Sequence, residues 1–157
     1  MSTKEMITSG IRAALDRLDF NYQYDEARDV FQFGYKLECK LSSTRFFVVA
    51  RNSDYLIKAV SPIGGQASDD EMMTELAKLV AQINYKLIQG NFDLDLSDGE
   101  ISFREGVECA GLDEIPDVFV ISAIAIAIKM WNNYGDCFLG VIFNGLNADE
   151  ALKLEKE

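Results

Sequence analysis

The sequence predicts an α+β fold: a helix, a three-stranded antiparallel meander, a second helix, a β-hairpin, a third helix and a short last helix. Three observations predict it. Apolar residues recur at helical spacing in three stretches, they alternate with polar ones from residue 31 onward, and an Asp-Gly pair at 98–99 separates two short alternating runs. A chain of 157 residues, with 48% apolar and 26% charged residues, is long enough for a proper core. No Ser/Gly/Pro-rich linker divides it, so residues 1–157 read as one domain.

The first helix has a capping-box start, Ser2 followed by Glu5. Met6, Ile7, Ile11, Ala14, Leu15 and Leu18 then share one face. Tyr22 and Tyr24 can form a short strand of their own. From Phe31 the period is two: Phe31, Phe33, Tyr35, Leu37, Cys39 and Leu41 alternate with Gln32, Gly34, Lys36, Glu38 and Lys40, as in a strand with one wet face. A turn at Ser42-Ser43, a strand TRFFVVA, a turn at 51–54 and a strand YLIKAV complete the meander.

Pro62 and Gly64-Gly65 end the sheet segment. Ser68 is the expected cap of the second helix, with Asp69 and Asp70 in its first turn and Glu71 closing the box. Met72, Met73, Leu76, Leu79, Val80, Ile83 and Leu87 fill an arc roughly 120° wide at about 100° per residue. Beside that arc lies a shoulder of Ala77, Ala81 and Ile88. A surface helix needs only the arc, so the shoulder suits a second surface, from this chain or from another copy.

The stretch GNFDLDLSDGEISFR poses a choice between a calcium loop and a turn. An EF-hand loop started at Asp93 places Asp95 and Ser97 correctly. It then puts Asp98 where glycine is needed and Arg104 where a bidentate glutamate is needed. A two-residue type I′ turn at Asp98-Gly99 fits instead. It pairs Leu96 with Ile101, Leu94 with Phe103 and Asp93 with Arg104, with Phe92 on the apolar face.

Pro116 opens the third helix, read over PDVFVISAIAIAIKMWNNY. Only Ser122, Lys129, Asn132 and Asn133 make a polar stripe, so this helix must be covered on two sides. Asn147 caps the last helix, NADEALKLEKE, with Glu150 in the box position. The most apolar run, residues 118–128, is too short by itself to span a bilayer, and MSTKEMITSG has no apolar core of signal-peptide length. A soluble, cytoplasmic protein is expected.

The net charge of −11 is unevenly spread. Residues 29–61 carry five basic and three acidic groups; residues 62–105 and 106–157 carry three basic and nine acidic groups each. That balance argues against binding nucleic acid or an anionic membrane surface. Cys39, Cys109 and Cys137 form no C-x-x-C pair, and with no histidine in the chain no zinc site and no metal or other cofactor is expected; buried thiols are.

From about residue 69 to 151 the chain resembles the YbjN family, labelled as bacterial sensory-transduction regulators. The resemblance is carried by Asn84-Tyr85, by Gly90-Asn91-Phe92-Asp93-Leu94-Asp95 and by Gly99-Glu100-Ile101-Ser102-Phe103-Arg104. The acidic-start helix, Tyr134 and the capped segment 147–151 add to it. That family is similar in architecture to the small acidic chaperones of type III secretion, homodimers that hold extended segments of cargo. The resemblance implies a type III secretion chaperone-like fold and a dimer, with no catalytic residues to carry over. A shared fold does not by itself fix function.

The leading expectation is a non-enzymatic protein- or peptide-binding module, chaperone-like or regulatory, that acts as a homodimer. Its candidate interface residues are Ala77, Ala81, Ile88, Ile124, Ile128 and Trp131, and an exposed sheet edge is the expected seat for an extended segment. The alternative is a small-molecule sensor with a pocket between sheet and helices, lined from Phe31, Phe33, Tyr35, Phe46, Phe47 and Trp131. An enzyme is disfavoured. Acid–base work falls to carboxylates such as Asp93 and Asp95, and Asp136 beside Cys137 raises rather than lowers the thiol pKa.

Overall fold

The computed structural model describes residues 1–156. The element order is α1 (Thr3–Arg17), β1 (Gln23–Asp25), β2 (Val30–Lys36), β3 (Ser43–Ala50), β4 (Asp54–Val60), α2 (Asp70–Lys86), β5 (Asn91–Leu94), β6 (Ile101–Glu108), α3 (Asp117–Asn144) and α4 (Ala148–Leu152). The strands form one antiparallel sheet in the order β1-β2-β3-β4-β6-β5. One face of the sheet meets helices; Phe31, Phe33, Phe46, Val48, Tyr55, Ile57, Ala59, Ile101 and Phe103 point into that layer and are buried. The other face stays open.

Capping boxes start α1 at Ser2 with Glu5 and α4 at Asn147 with Glu150, both as expected. The start of α2 moves by one residue. Asp69, not Ser68, is the cap, and its carboxylate accepts from the Met72 N–H at 3.0 Å. A charged acceptor closer to the helix end outbids the hydroxyl. Leu87 and Ile88 lie beyond the end of α2, and α4 is shorter than expected and ends at Leu152, with Glu157 outside the described residues.

The alternation starting at Phe31 outlasts its strand. Strand β2 stops at Lys36, yet Leu37, Cys39 and Leu41 are still buried. They drop into the core from a loop held by α3: Asn132 Oδ1 accepts from the Glu38 N–H at 2.8 Å, and Asp136 Oδ1 from the Lys40 N–H at 2.9 Å. Gly135 permits the approach, since a Cβ there would sit 2.7 Å from Cys39 Sγ.

The hairpin keeps its expected faces but slips by two residues, pairing Phe92 with Phe103 and Leu94 with Ile101. The tip is therefore longer than a two-residue turn. The Gly99 N–H donates to the Asp95 carbonyl at 2.7 Å, and the Glu100 carbonyl accepts from the Asp95 N–H at 2.9 Å. The tip is fixed by a tertiary contact. Gly99 has φ +82°, its carbonyl accepts from the Gly65 N–H at 2.8 Å, and a Cβ on it would meet the Gly65 carbonyl oxygen at 2.0 Å. Leu96, assigned to the apolar face, is exposed in this loop.

Helix α3 is the largest departure, 28 residues long rather than ending near Tyr134. By length and composition it could cross a membrane, which the eleven-residue run alone could not. Twelve of its residues are buried, including Val120, Ala127, Trp131, Cys137 and Phe138. It packs against α1, α2, α4, β4 and β6, so its apolar circumference serves mainly as the core of this fold.

Candidate functional site

Two of the expected interface residues belong to the interior. Trp131 is fully buried, and its indole N–H donates to the Ala59 carbonyl at 3.0 Å; Ile124 is 2% exposed. Ile128 is half-buried. Ala77 and Ala81 are exposed on α2, Ala81 beside a shallow groove shared with Ala148 and Asp149 of α4. Ile88 is 99% exposed and Tyr85 is 94% exposed. Both side chains stand at the end of α2, next to Gln89.

Gln89 opens onto a groove of about 620 Å³ between β6 and the first turns of α3. Val107, Val118, Phe119, Ala125 and Ile126 give it apolar walls. Val118 and Phe119 are 58% and 41% exposed. Ile88 is among the interface residues expected from the sequence; Tyr85, Val118 and Phe119 are not. Their signal was present as large apolar side chains just outside the arcs that the core uses.

One ionisable group, Glu105, stands in this lining beside the polar Gln89 and Ser122. Glu105 projects from the core-facing row of β6, opposite Ile57, and its Oε2 has no hydrogen-bond partner. Burial alone holds its carboxyl above the ordinary glutamate value. On the neighbouring strand β4, opposite Val107, the Tyr55 hydroxyl is also unpartnered. Burial pushes its pKa up, and Cys109 and Glu105 add to the shift.

The sheet edges offer less than expected to an extended segment. At the β5 edge, Asn84 takes both backbone groups of Phe92: its Oδ1 accepts from the N–H at 2.8 Å and its Nδ2 donates to the carbonyl at 2.9 Å. The opposite edge strand, β1, has three residues. Short, blunted edges resist strand addition.

The expected pocket between sheet and helices is filled by core. Phe31, Phe33, Phe46 and Trp131 are 0–3% exposed, and Phe33 and Phe46 stack with ring centroids 4.8 Å apart. Tyr35 packs edge-on against Phe46 at the side. Phe47 faces the other way, onto the open face of the sheet. There it helps to line a trough of about 700 Å³ with Val30, Val49 and Val60 on its floor and Arg28, Arg45, Lys58 and Glu100 around it.

The groups considered for catalysis are committed elsewhere. Asp93 Oδ2 lies 3.0 Å from Arg104 Nε. Asp95 Oδ1 accepts from the Ser97 hydroxyl and N–H, which hold its carboxyl below the usual range. All three cysteines are buried and unpaired. Burial, then Glu155 and Asp136, push the Cys137 thiol up to about 12, far from the thiolate a nucleophile needs. Among the described residues no group of three or more Cys, Asp or Glu is placed to hold a metal ion.

With this architecture in place, comparison with solved structures gives two clear likenesses. ExsC, solved as a complex with ExsE, aligns with a TM-score of 0.55 at 10% identity over 84% of this chain and 95% of that one. YbjN from E. coli aligns with a TM-score of 0.54 at 9% identity over 88% and 89%. The chain has the fold of ExsC and YbjN. At such identities the likeness shows the fold and no more. No protein-family model matches the chain, and no curated protein matches it. The type III secretion chaperone-like architecture inferred from residues 69–151 therefore extends over most of the chain.

Proposed function

We propose that this chain is a non-enzymatic, protein-binding module that works as a homodimer, in a chaperone-like or regulatory role. The observation that carries the reading is the exposure of Tyr85 and Ile88 at the end of α2 together with that of Val118 and Phe119. The first two precede Gln89 in sequence, and the last two line the β6–α3 groove that Gln89 opens onto. Four large apolar side chains left to solvent at one end of two packed helices cost solubility unless another surface covers them. A second copy is the occupant that the reading requires. Two-fold association needs a single patch that meets itself, and here helix faces with the small Ala81 and Ala125 nearby allow close packing. The shared fold with ExsC, which was solved bound to ExsE, supports a role in holding another protein.

The test is dilution followed by backbone amide shifts in two-dimensional nitrogen–proton spectra. Diluting the protein through the micromolar range moves the amides of Tyr85, Ile88, Phe119 and Ala125 together while the outer-face residues stay fixed. The substitution Ile88→Asp abolishes the movement without changing the remaining spectrum. Shifts that are independent of concentration throughout would remove the dimer.

A further inference from the structure

Within an acidic chain, the trough on the open face of the sheet stands apart. On β2, β3 and β4 the outward row brings Val30 opposite Val49, Phe47 opposite Lys58 and Arg45 opposite Val60. The apolar members are only partly buried, although nothing in the described chain lies over them. Gly34, opposite Arg45, leaves open space above the strand; an added Cβ would meet no atom within 4 Å.

Charge sets this face apart. The trough is lined by Arg28, Arg45, Lys58 and one acid, Glu100, in a protein of net charge −11. Lys58 lies 2.8 Å from Glu100, and Arg28 is 3.5 Å from Asp25. Arg45 has no carboxylate partner among the described residues, and its guanidinium reaches only Gln32 Oε1, at 3.3 Å. Lys36, one step along the same outward row of β2, carries another cation without an ion pair among the described residues.

We propose that this face docks an amphipathic helix of a partner protein, its apolar stripe on Phe47, Val49 and Val60 and acidic residues flanking the stripe against Arg45. This rests on the protein-binding reading and names the partner's chemistry and seat. Three strands span about 10 Å, the width of one helix, and laying a helix on a sheet face is the usual way to bury such a row. The trough is open along its top, whereas small-ligand sites enclose most of their ligand. An occupant here must supply its own polar outer side, as an amphipathic helix does. A single aromatic side chain and a strongly negative molecule do not suit a nucleic-acid strand.

The experiment uses the full chain and two dye-labelled helical peptides with one leucine stripe, flanked by glutamates in one and by lysines in the other. Fluorescence anisotropy is read at low and high salt. Saturable binding of the glutamate peptide is expected, weakened by salt and not seen with the lysine peptide. Arg45→Glu should weaken it roughly tenfold, as loss of a charge at the contact does. Phe47→Asp tests the floor, with circular dichroism as the check on folding, and should weaken it further.

Equal or stronger binding of the lysine peptide overturns the proposal, as does binding indifferent to Arg45→Glu, or no saturable binding of the glutamate peptide. Displacement of that peptide by decanoate would assign the trough to small carboxylates and overturns it too. Sedimentation of the same samples separates the two readings. A dimer that ignores the peptide refutes only this inference, and a monomer that binds it refutes only the dimer.

Discussion

Asn84 grips Phe92 by both backbone groups, accepting from its N–H at 2.8 Å and donating to its carbonyl at 2.9 Å. Phe92 in turn carries the aromatic cluster of Phe103, Trp131 and Phe138, with ring centroids 5.0–5.1 Å from its own. One amide thus ties α2 to the edge strand whose side chain anchors the core under α3. Asn84→Ala leaves an N–H and a carbonyl without partners at a half-buried edge, so we expect a loss of about 2 kcal/mol, read by urea denaturation. A loss within error would mean that water replaces the amide.

The Gly65–Gly99 contact has no slack. Gly99→Ala combines a left-handed backbone with a methyl group set against the Gly65 carbonyl. The expected cost is at least about 3 kcal/mol, and thermal melting measures it. Gly111 also has positive φ but open space around it, so Gly111→Ala should cost only about 1 kcal/mol.

Asp136 sets a limit on the acid side. Burial raises its pKa, but the Lys156 ammonium at 2.8 Å and the Lys40 N–H together outweigh burial and leave it below the usual value of 3.8. A lowered native pKa means stability that is present above 3.8 and is lost as pH falls through the native value. Asp136→Asn should cost roughly 1–2 kcal/mol near neutral pH and flatten the acid limb of the stability curve below pH 4. Equal acid limbs for the two proteins would contradict this.

Glu105 has the opposite sign. Its native pKa lies above 4.5, so its contribution favours the fold below that value and fades as pH rises through the native value. Glu105→Gln should therefore raise neutral-pH stability by about 1 kcal/mol, with the difference vanishing near pH 4. Melting temperatures at the two pH values measure it, and a destabilised variant at neutral pH would show that the carboxylate has a partner.

Local pattern reaches as far as local forces do. The helix caps at Ser2 and Asn147, the meander and the two faces of the hairpin follow from neighbouring residues, and all were legible. The loop after Lys36 was not, because Leu37, Cys39 and Leu41 keep a strand's alternation while Asn132 and Asp136, about a hundred positions on, hold their backbone. The hairpin slip has the same origin, since Gly99 answers to Gly65 rather than to the Asp-Gly turn preference.

Helix α3 runs on past Tyr134 through Gly135 and Gly140, each of which makes room for a neighbour, Cys39 in one case and Leu146 in the other. For the candidate site, the greasy surplus was visible but its location was not. A wheel drawn for one helix cannot tell that Trp131 faces Ala59 while Phe119 faces water.

The reading as a whole turns on whether the surface of Tyr85, Ile88, Val118 and Phe119 is covered by another copy. Sedimentation equilibrium at micromolar concentration, with Phe119→Ser alongside wild type, tests this most directly. The account predicts twice the chain mass for wild type and the single-chain mass for the variant, with both folded. A wild-type protein that sediments at the single-chain mass across that range would contradict it.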